Sequence, residues 1–244
     1  MAALTTIGFD ADDTLWQNEQ FFRLTEERFV ALLGGHGEAA EISGRLLEAE
    51  KRNLGFYGFG IKGFVLSMIE TAIEITRGQV SASVIDEILA AGREMAAHPV
   101  ETLPHVTETL AALAGRYRLV LITKGDLFDQ ERKLAQSGLG DWFEAVEIVS
   151  DKRAETYARI FARHGDGAGR AMMVGNSLKS DIVPALEAGA WAVHVPHDLT
   201  WALEHAEEPT QAERYRRIAD LGALPALLEH IDSPHRSRRL LLEE

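Results

Sequence analysis

The chain has 244 residues, of which 46% are apolar and 26% charged, so its composition is that of an ordinary globular protein. Its formal net charge of -13 argues against a nucleic acid or an anionic membrane as a partner, because both need a basic face. The absence of cysteine excludes disulfides and thiol chemistry and fits a reducing compartment. No run approaches the ~20 apolar residues of a membrane span, and no signal peptide is recognisable, so we predict a cytoplasmic protein.

The first predicted strand, residues 5–10, leads directly into three acidic residues. An apolar run from Ile7 to Phe9 is followed by Asp10, Asp12 and Asp13, and such a short run is typical of a buried strand. At the carboxyl edge of a parallel sheet these acids would lie where ligands bind, and their mutual repulsion favours a cation between them. An acidic turn that caps the next helix is the alternative interpretation.

Residues 17–98 show helical periodicity and no alternation of apolar and polar residues, which predicts an all-helical insert. A loop rich in glycine and aromatic residues, 54–64, interrupts the pattern and contains Tyr57 and Lys62. The four predicted helices cover residues of about 18–34, 37–53, 64–77 and 81–97.

From residue 99 onward, strands alternate with helices, which is typical of a parallel sheet. The near-continuous apolar runs indicate strands that are covered on both faces. We therefore predict an α/β fold, a doubly wound parallel sheet with an inserted α-helical domain. The core would comprise residues 1–16 and 99–232, the helical domain 17–98, and a C-terminal tail 233–244. Beyond the first strand, the predicted strands cover about 118–123, 143–149, 170–175, 191–195 and 215–219. The predicted helices of this part of the chain cover about 105–115, 127–137, 153–164, 180–188 and 221–230.

Polar residues follow each of the first four core strands. Thr123 comes at the end of the second strand, Lys152 follows the third, and Asn176 and Asp181 follow the fourth. Taken singly, Thr123 could be a helix cap, Lys152 a solvated charge and Asp181 a first-turn acid that the helix dipole favours. In one parallel sheet, however, these strand ends lie along one edge, and the side chains would converge there.

In this combination the chain resembles the haloacid dehalogenase-like hydrolases, and among them the phosphatases with an α-helical cap inserted after the first motif. The segment Asp10–Thr14 matches the Asp-x-Asp-x-Thr motif of this family, Thr123 the second motif and Lys152 the third. The fourth motif, usually Gly-Asp-x-x-x-x-Asp, matches residues 175–181 with a departure, because Asn176 replaces the first acid.

The resemblance implies a Mg²⁺-dependent phosphatase that hydrolyses a small phosphorylated metabolite through an aspartyl-phosphate. Asp10 would be the nucleophile, Asp12 the general acid and base, and Thr123 a phosphate ligand, while Lys152 would neutralise developing charge.

The same resemblance implies further contacts around these catalytic groups. Mg²⁺ would be held by Asp10, the backbone carbonyl of Asp12 and Asp181. The phosphate surroundings would include Lys124, Gly125 and Asn176, and the substrate contacts from the cap would include Tyr57 and Lys62.

Three other functions remain open at this point. A phospho-acceptor receiver module uses similar residues, but it is about half as long and lacks an insert. A dehalogenase would lack an acid at the position of Asp12, and a phosphonate hydrolase would need a cap lysine such as Lys62. We expect a monomer or homodimer whose substrate the sequence does not identify.

Overall fold

The structure, a computed structural model, describes residues 3–240, with side chains described as far as residue 232. Within these residues, six parallel strands form one sheet in the order β3-β2-β1-β4-β5-β6. β1 lies in the middle, with Phe9 opposite Leu121 of β2 and Val174 of β4. The predicted α/β fold with a parallel sheet is confirmed. The strands are β1 Thr6–Phe9, β2 Arg118–Lys124, β3 Ala145–Val149, β4 Ala171–Gly175, β5 Trp191–His194 and β6 Tyr215–Arg217.

Apolar side chains cover both faces of the sheet, as the continuous apolar runs predict. On one face Ile7 and Phe9 pack with helices α5 (Val106–Leu113) and α9 (Leu224–Leu240). On the other face the strands pack against α7 (Ala154–His164) and α8 (Val183–Glu187). Burial on both sides fixes the strand positions, and therefore the positions of the polar residues at their ends.

Two predicted C-terminal elements differ from the structure. The predicted helix over 180–188 is a π-helical turn, Leu178–Ile182, followed by the short α8. Helix α9 continues to Leu240, so the first eight residues of the predicted tail are helical, and residues 241–244 lie outside the described part of the chain. Over residues 3–240, no helix is long and apolar enough to cross a membrane.

Residues 17–98 fold into four helices with an apolar core of their own, to which Phe29, Leu46, Met68 and Ile88 contribute. We refer to these helices as the four-helix unit. Its helices are α1 Glu19–Leu32, α2 Ala39–Tyr57, α3 Ile61–Ile75 and α4 Ala82–Ala97.

The glycine-rich loop between the second and third helices is shorter than predicted. Helix α2 extends to Tyr57 and α3 begins at Ile61, so only residues 58–60 form the turn. Gly58 and Gly60 have φ angles of +70° and +109°, a backbone conformation that is unfavourable for residues with a β-carbon. The other glycines of this segment, Gly55 and Gly63, are helical, so the loop is shorter than the glycine pattern predicts.

Candidate active site

A cavity of about 160 Å³ lies between the carboxyl edge of the sheet and the four-helix unit. Its floor comes from the ends of β1, β2 and β4, and its roof from α1, α2 and the start of α3. All the candidate residues of the sheet edge line it: Asp10, Asp12, Thr123, Lys124, Gly125, Lys152, Asn176 and Asp181.

The centre of the cavity floor is a buried triad of two acids and one lysine. The Lys152 ammonium donates hydrogen bonds to Asp10 Oδ1 and, at 2.7 Å, to Asp181 Oδ1. Burial and the charge of Asp181 raise the pKa of Asp10 to about 7, although Lys152 opposes this shift. Burial by itself lowers the pKa of Lys152, but Asp10 and Asp181 outweigh it and raise this pKa. When all three groups are ionised, the two carboxylates outnumber the one ammonium, so the triad carries a net negative charge.

Asp181 reaches the triad from the π-helical turn after β4. The backbone N–H of Ser177 donates to Asp181 Oδ2 at 2.9 Å, and the Tyr157 hydroxyl lies 3.4 Å from Oδ1. Gly175 stands directly under this carboxylate, and a β-carbon at Gly175 would overlap the Asp181 side chain. The absence of a side chain at this strand end thus makes room for the acid.

The side chains that hold Asp12 are not among the predicted site residues. Its Oδ1 accepts from Lys133 Nζ at 2.6 Å and from Trp16 Nε1 at 2.7 Å, and its Oδ2 accepts from Gln130 Nε2 at 3.2 Å. Gln130 and Lys133 lie three residues apart on α6, Leu127–Ser137, and both are buried. In the sequence, these two residues could have been identified as polar side chains on one face of the helix predicted over about 127–137.

Thr14 and the third acid, Asp13, make further hydrogen bonds around the first motif. The Thr14 hydroxyl donates to Asp10 Oδ2 at 3.2 Å and accepts from the Asn176 backbone N–H at 3.1 Å. Asp13 adopts φ +58° and accepts from the backbone N–H groups of Asn18 and Glu19 at 2.9 and 3.0 Å. Asp13 therefore accepts from the N–H groups at the start of α1, although the N-cap residue itself is Asn18 and not Asp13 or Thr14 as the alternative interpretation expects.

A second charge cluster lies beside the triad and was not predicted. Lys124 donates to Glu204 Oε1 and, at 2.7 Å, to the Ser180 hydroxyl. The Ser177 and Ser180 hydroxyls each donate to Glu204 Oε2 at 2.5 Å. Glu204 belongs to a 3₁₀ turn after β5, and nothing in its local sequence marks it as a cavity residue.

The two cap residues that we predicted to contact substrate lie outside the cavity. Tyr57 is 52% exposed at the end of α2. The Lys62 side chain is 69% exposed and its Nζ pairs with Asp126 at 3.0 Å. Because the loop is only three residues long, both residues project from helix ends instead of over the strand ends. From the same segment, Phe59 and Phe64 line the cavity instead.

The chemistry of the floor fits a divalent cation with hard oxygen ligands. Asp10 and Asp181 share one lysine, so their oxygens keep an unneutralised charge, and the Asn176 amide oxygen lies 3.3 Å from the Thr14 hydroxyl. Over residues 3–232, however, no three acidic or histidine side chains are already gathered in metal-ligating geometry. Lys152 stands between two of the acids, and the Asp12 carboxylate points to Lys133.

Comparison with known proteins places this site in a family. Residues 4–189 match the model of the haloacid dehalogenase-like hydrolases. A haloacid dehalogenase-like hydrolase from Xanthomonas campestris superposes with a TM-score of 0.84 at 43% identity, covering 97% of this chain and 95% of that one.

Two curated relatives are phosphatases by name. Glyceraldehyde 3-phosphate phosphatase of Methanothermobacter thermautotrophicus is 25% identical over 84% of this chain and 92% of its own length. Human N-acylneuraminate-9-phosphatase is 24% identical over 95% of this chain and 96% of its own. Because the family model covers most of the chain, the protein belongs to the haloacid dehalogenase-like hydrolases and is a hydrolase.

Proposed function

We propose that the protein is a Mg²⁺-dependent phosphatase that hydrolyses a small phosphorylated metabolite through an aspartyl-phosphate. The observation that carries the proposal is that the buried Asp10 carboxylate, paired with Lys152, shares one cavity with Asp12 and Thr123. The relatives named as phosphatases of small phosphate esters support the same reaction class.

In the first step, an oxygen of Asp10 attacks phosphorus and the bond from phosphorus to the substrate oxygen breaks. Asp12 donates a proton to the departing alcohol, which therefore leaves neutral. Lys152 stabilises the negative charge on the phosphoryl oxygens, and the Thr123 hydroxyl binds one of them. Gln130, which donates to Thr123 Oγ1 at 2.6 Å, orients that hydroxyl.

In the second step, water attacks the phosphorus of the aspartyl-phosphate, and Asp12 takes up the proton of that water. The bond between phosphorus and Asp10 breaks, which regenerates the carboxylate and releases inorganic phosphate. Lys133 and Trp16 hold Asp12 in one position through both steps, so the same carboxyl group serves as acid and then as base.

Asp10, the backbone carbonyl of Asp12 and Asp181 would hold Mg²⁺, with Asn176 beside them. When bound, the ion neutralises the repulsion between the Asp10 carboxylate and the phosphate. The raised pKa of Asp10, about 7, reflects the burial and the negative charge that a cation would offset.

The alternatives fit the cavity less well. A phosphonate hydrolase needs a cap lysine at the reacting carbon, but Lys62 is exposed and paired with Asp126. A dehalogenase has no use for a carboxyl group held as Asp12 is, since halide leaves without a proton. A receiver module does not account for the four-helix unit that forms the roof.

The test is hydrolysis of an aryl phosphate by Asp10→Asn. We expect the variant to lose at least about a thousandfold in kcat, because the nucleophile is gone. The matched control is Asp166→Asn, an exposed acid that pairs with Arg118 and Arg170, which should keep full activity. EDTA should abolish the wild-type activity reversibly. Wild-type rates in the Asp10 variant or in EDTA contradict the mechanism.

A cytoplasmic location and a monomeric or homodimeric state remain predictions that accompany this function.

A further inference from the structure

The lining of the active-site cavity is strongly acidic. Among residues 3–232, it contains three lysines, Lys124, Lys133 and Lys152, and neither arginine nor histidine. Ten acids of the described chain line the same space: Asp10, Asp12, Asp13, Glu19, Glu26, Glu50, Asp126, Asp129, Asp181 and Glu204. Two of them, Asp126 and Asp129, pair with Lys62 and Arg132 outside the lining.

Each of the three lining lysines already has acidic partners within the protein. Lys152 pairs with Asp10 and Asp181, Lys133 with Asp12, and Lys124 with Glu204. A carboxylate on the leaving group would therefore enter the cavity without a free cation to receive it, and desolvation of such an unpaired charge is costly.

The roof of the cavity, opposite the triad, combines acids with aromatic rings. Glu50 forms a hydrogen bond with Trp201 and interacts with the charges of Glu26 and Glu19. Burial and these neighbouring acids raise the pKa of Glu50 to about 7. The partner of Glu19 is Arg23, at 3.2 Å, whose side chain is 48% exposed.

Two pairs of aromatic rings line the same cavity as these acids. Phe22 and Phe64 have their centroids 5.1 Å apart, and Phe59 and Trp201 theirs 6.1 Å apart. All four rings line the cavity, and one of them, Phe59, already has the Lys124 ammonium 4.0 Å from its ring centroid. Carboxylates set among aromatic faces favour an organic cation, which gains from both charge and ring contacts.

We propose that the substrate is the phosphate ester of a small amino alcohol, whose ammonium group lies against Glu50 and the aromatic rings of the roof. This inference rests on the proposed phosphatase function, since it places the phosphate at Asp10 and Lys152 and the leaving group at the opposite end. Glu50 is then a specificity-determining residue that selects for positive and against negative leaving groups.

The experiment compares kcat/KM for three small esters: ethanolamine phosphate, glycerol 1-phosphate and phosphoglycolate, whose leaving groups are cationic, neutral and anionic. We expect the cationic ester to lead by about tenfold or more over the neutral one, and the anionic ester to be the poorest substrate. An equal or better rate with glycerol 1-phosphate or phosphoglycolate overturns the proposal.

The second measurement compares Glu50→Gln with the wild type by the ratio of kcat/KM for ethanolamine phosphate to that for phosphoglycolate. The intrinsic reactivity of each ester cancels when this ratio is compared between the two proteins. The preference for ethanolamine phosphate over phosphoglycolate should fall about tenfold, the effect of one charge at a few ångströms in a partly solvated site. The control, Glu48→Gln, removes an exposed acid of the same helix that pairs with Lys51 and should leave the ratio unchanged. An unchanged ratio in Glu50→Gln overturns the role of Glu50.

Aryl phosphate hydrolysis separates the two proposals. If Asp10→Asn lacks it while the wild type shows no preference for the cationic ester, only the substrate inference fails. If Asp10→Asn retains it, the phosphatase mechanism itself fails.

Discussion

At the scale of single residues, the site depends on where side chains are missing as much as on where they are present. Gly175 ends β4 beneath Asp181, and the carboxylate of Asp181 occupies the volume that a β-carbon would need. The pairing of Asp181 with Lys152, and through it the orientation of Asp10, therefore depends on a glycine that carries no chemistry.

Gly175→Ala should lower kcat for an aryl phosphate about a hundredfold, because the displaced Asp181 no longer shares Lys152 with Asp10. The matched control is Gly169→Ala, where the added carbon meets no atom within 4 Å; this variant should keep its activity. Thermal unfolding distinguishes a displaced site from a destabilised fold. Equal activities of the two alanine variants would show that Asp181 has room to move without loss.

The sequence predicts those site residues whose positions follow from the ends of the sheet strands. Asp10, Lys152 and Asp181 follow strands and Thr123 lies near the end of β2, and the parallel sheet brings these strand ends together. Glu204 reaches Lys124 from a turn that has no periodic pattern. Its position follows from the path of a loop, which tertiary packing decides.

At the scale of elements, helix ends were the least predictable feature. Gly55 and Gly63 lie inside helices, although glycine in a run of aromatics is typical of a loop. A β-carbon at Gly63 would come within 2.9 Å of the Gly58 carbonyl oxygen. Close approach of α3 to the turn thus explains this glycine, and that reason is visible only in three dimensions.

Helix α2 carries one acid whose titration should be measurable in the stability of the fold. The pKa of Glu50 is about 7 in the folded state against an ordinary value of 4.5, chiefly because of burial and then the charge of Glu26. Between these two values the folded state binds more protons than the unfolded state, so stability falls as pH rises from about 4.5 to about 7.

Glu50→Gln should therefore stabilise the protein at pH 8 by about 1 kcal/mol, or roughly 2–4 °C in Tm, and should have little effect at pH 4.5. Thermal unfolding of the wild type and variant across this range provides the measurement, with Glu48→Gln as the exposed control. A difference in Tm that does not change with pH would show that Glu50 titrates normally.

At the scale of the whole molecule, the four-helix unit and the sheet enclose the cavity together and meet through a few contacts at its rim. Phe59 lies over the Lys124 ammonium, 4.0 Å from ring centroid to Nζ, and Lys62 pairs with Asp126. The contact of Phe59 with Lys124 faces the cavity, whereas Lys62 of the pair with Asp126 is exposed to solvent. We therefore expect the two contacts to affect substrate binding differently.

Lys62→Ala tests whether this rim lysine acts on the substrate or only on the junction. Because the pair with Asp126 is exposed at the lysine, its loss should cost less than about 1 kcal/mol of unfolding free energy and change kcat/KM for an aryl phosphate less than about twofold. Lys51→Ala, which removes an exposed ion pair with Glu48 on α2, is the control. A tenfold rise in KM that spares kcat would instead place Lys62 on the bound substrate. That result would require the turn at residues 58–60 to move inward when substrate binds, because the lysine now points to Asp126 at 3.0 Å.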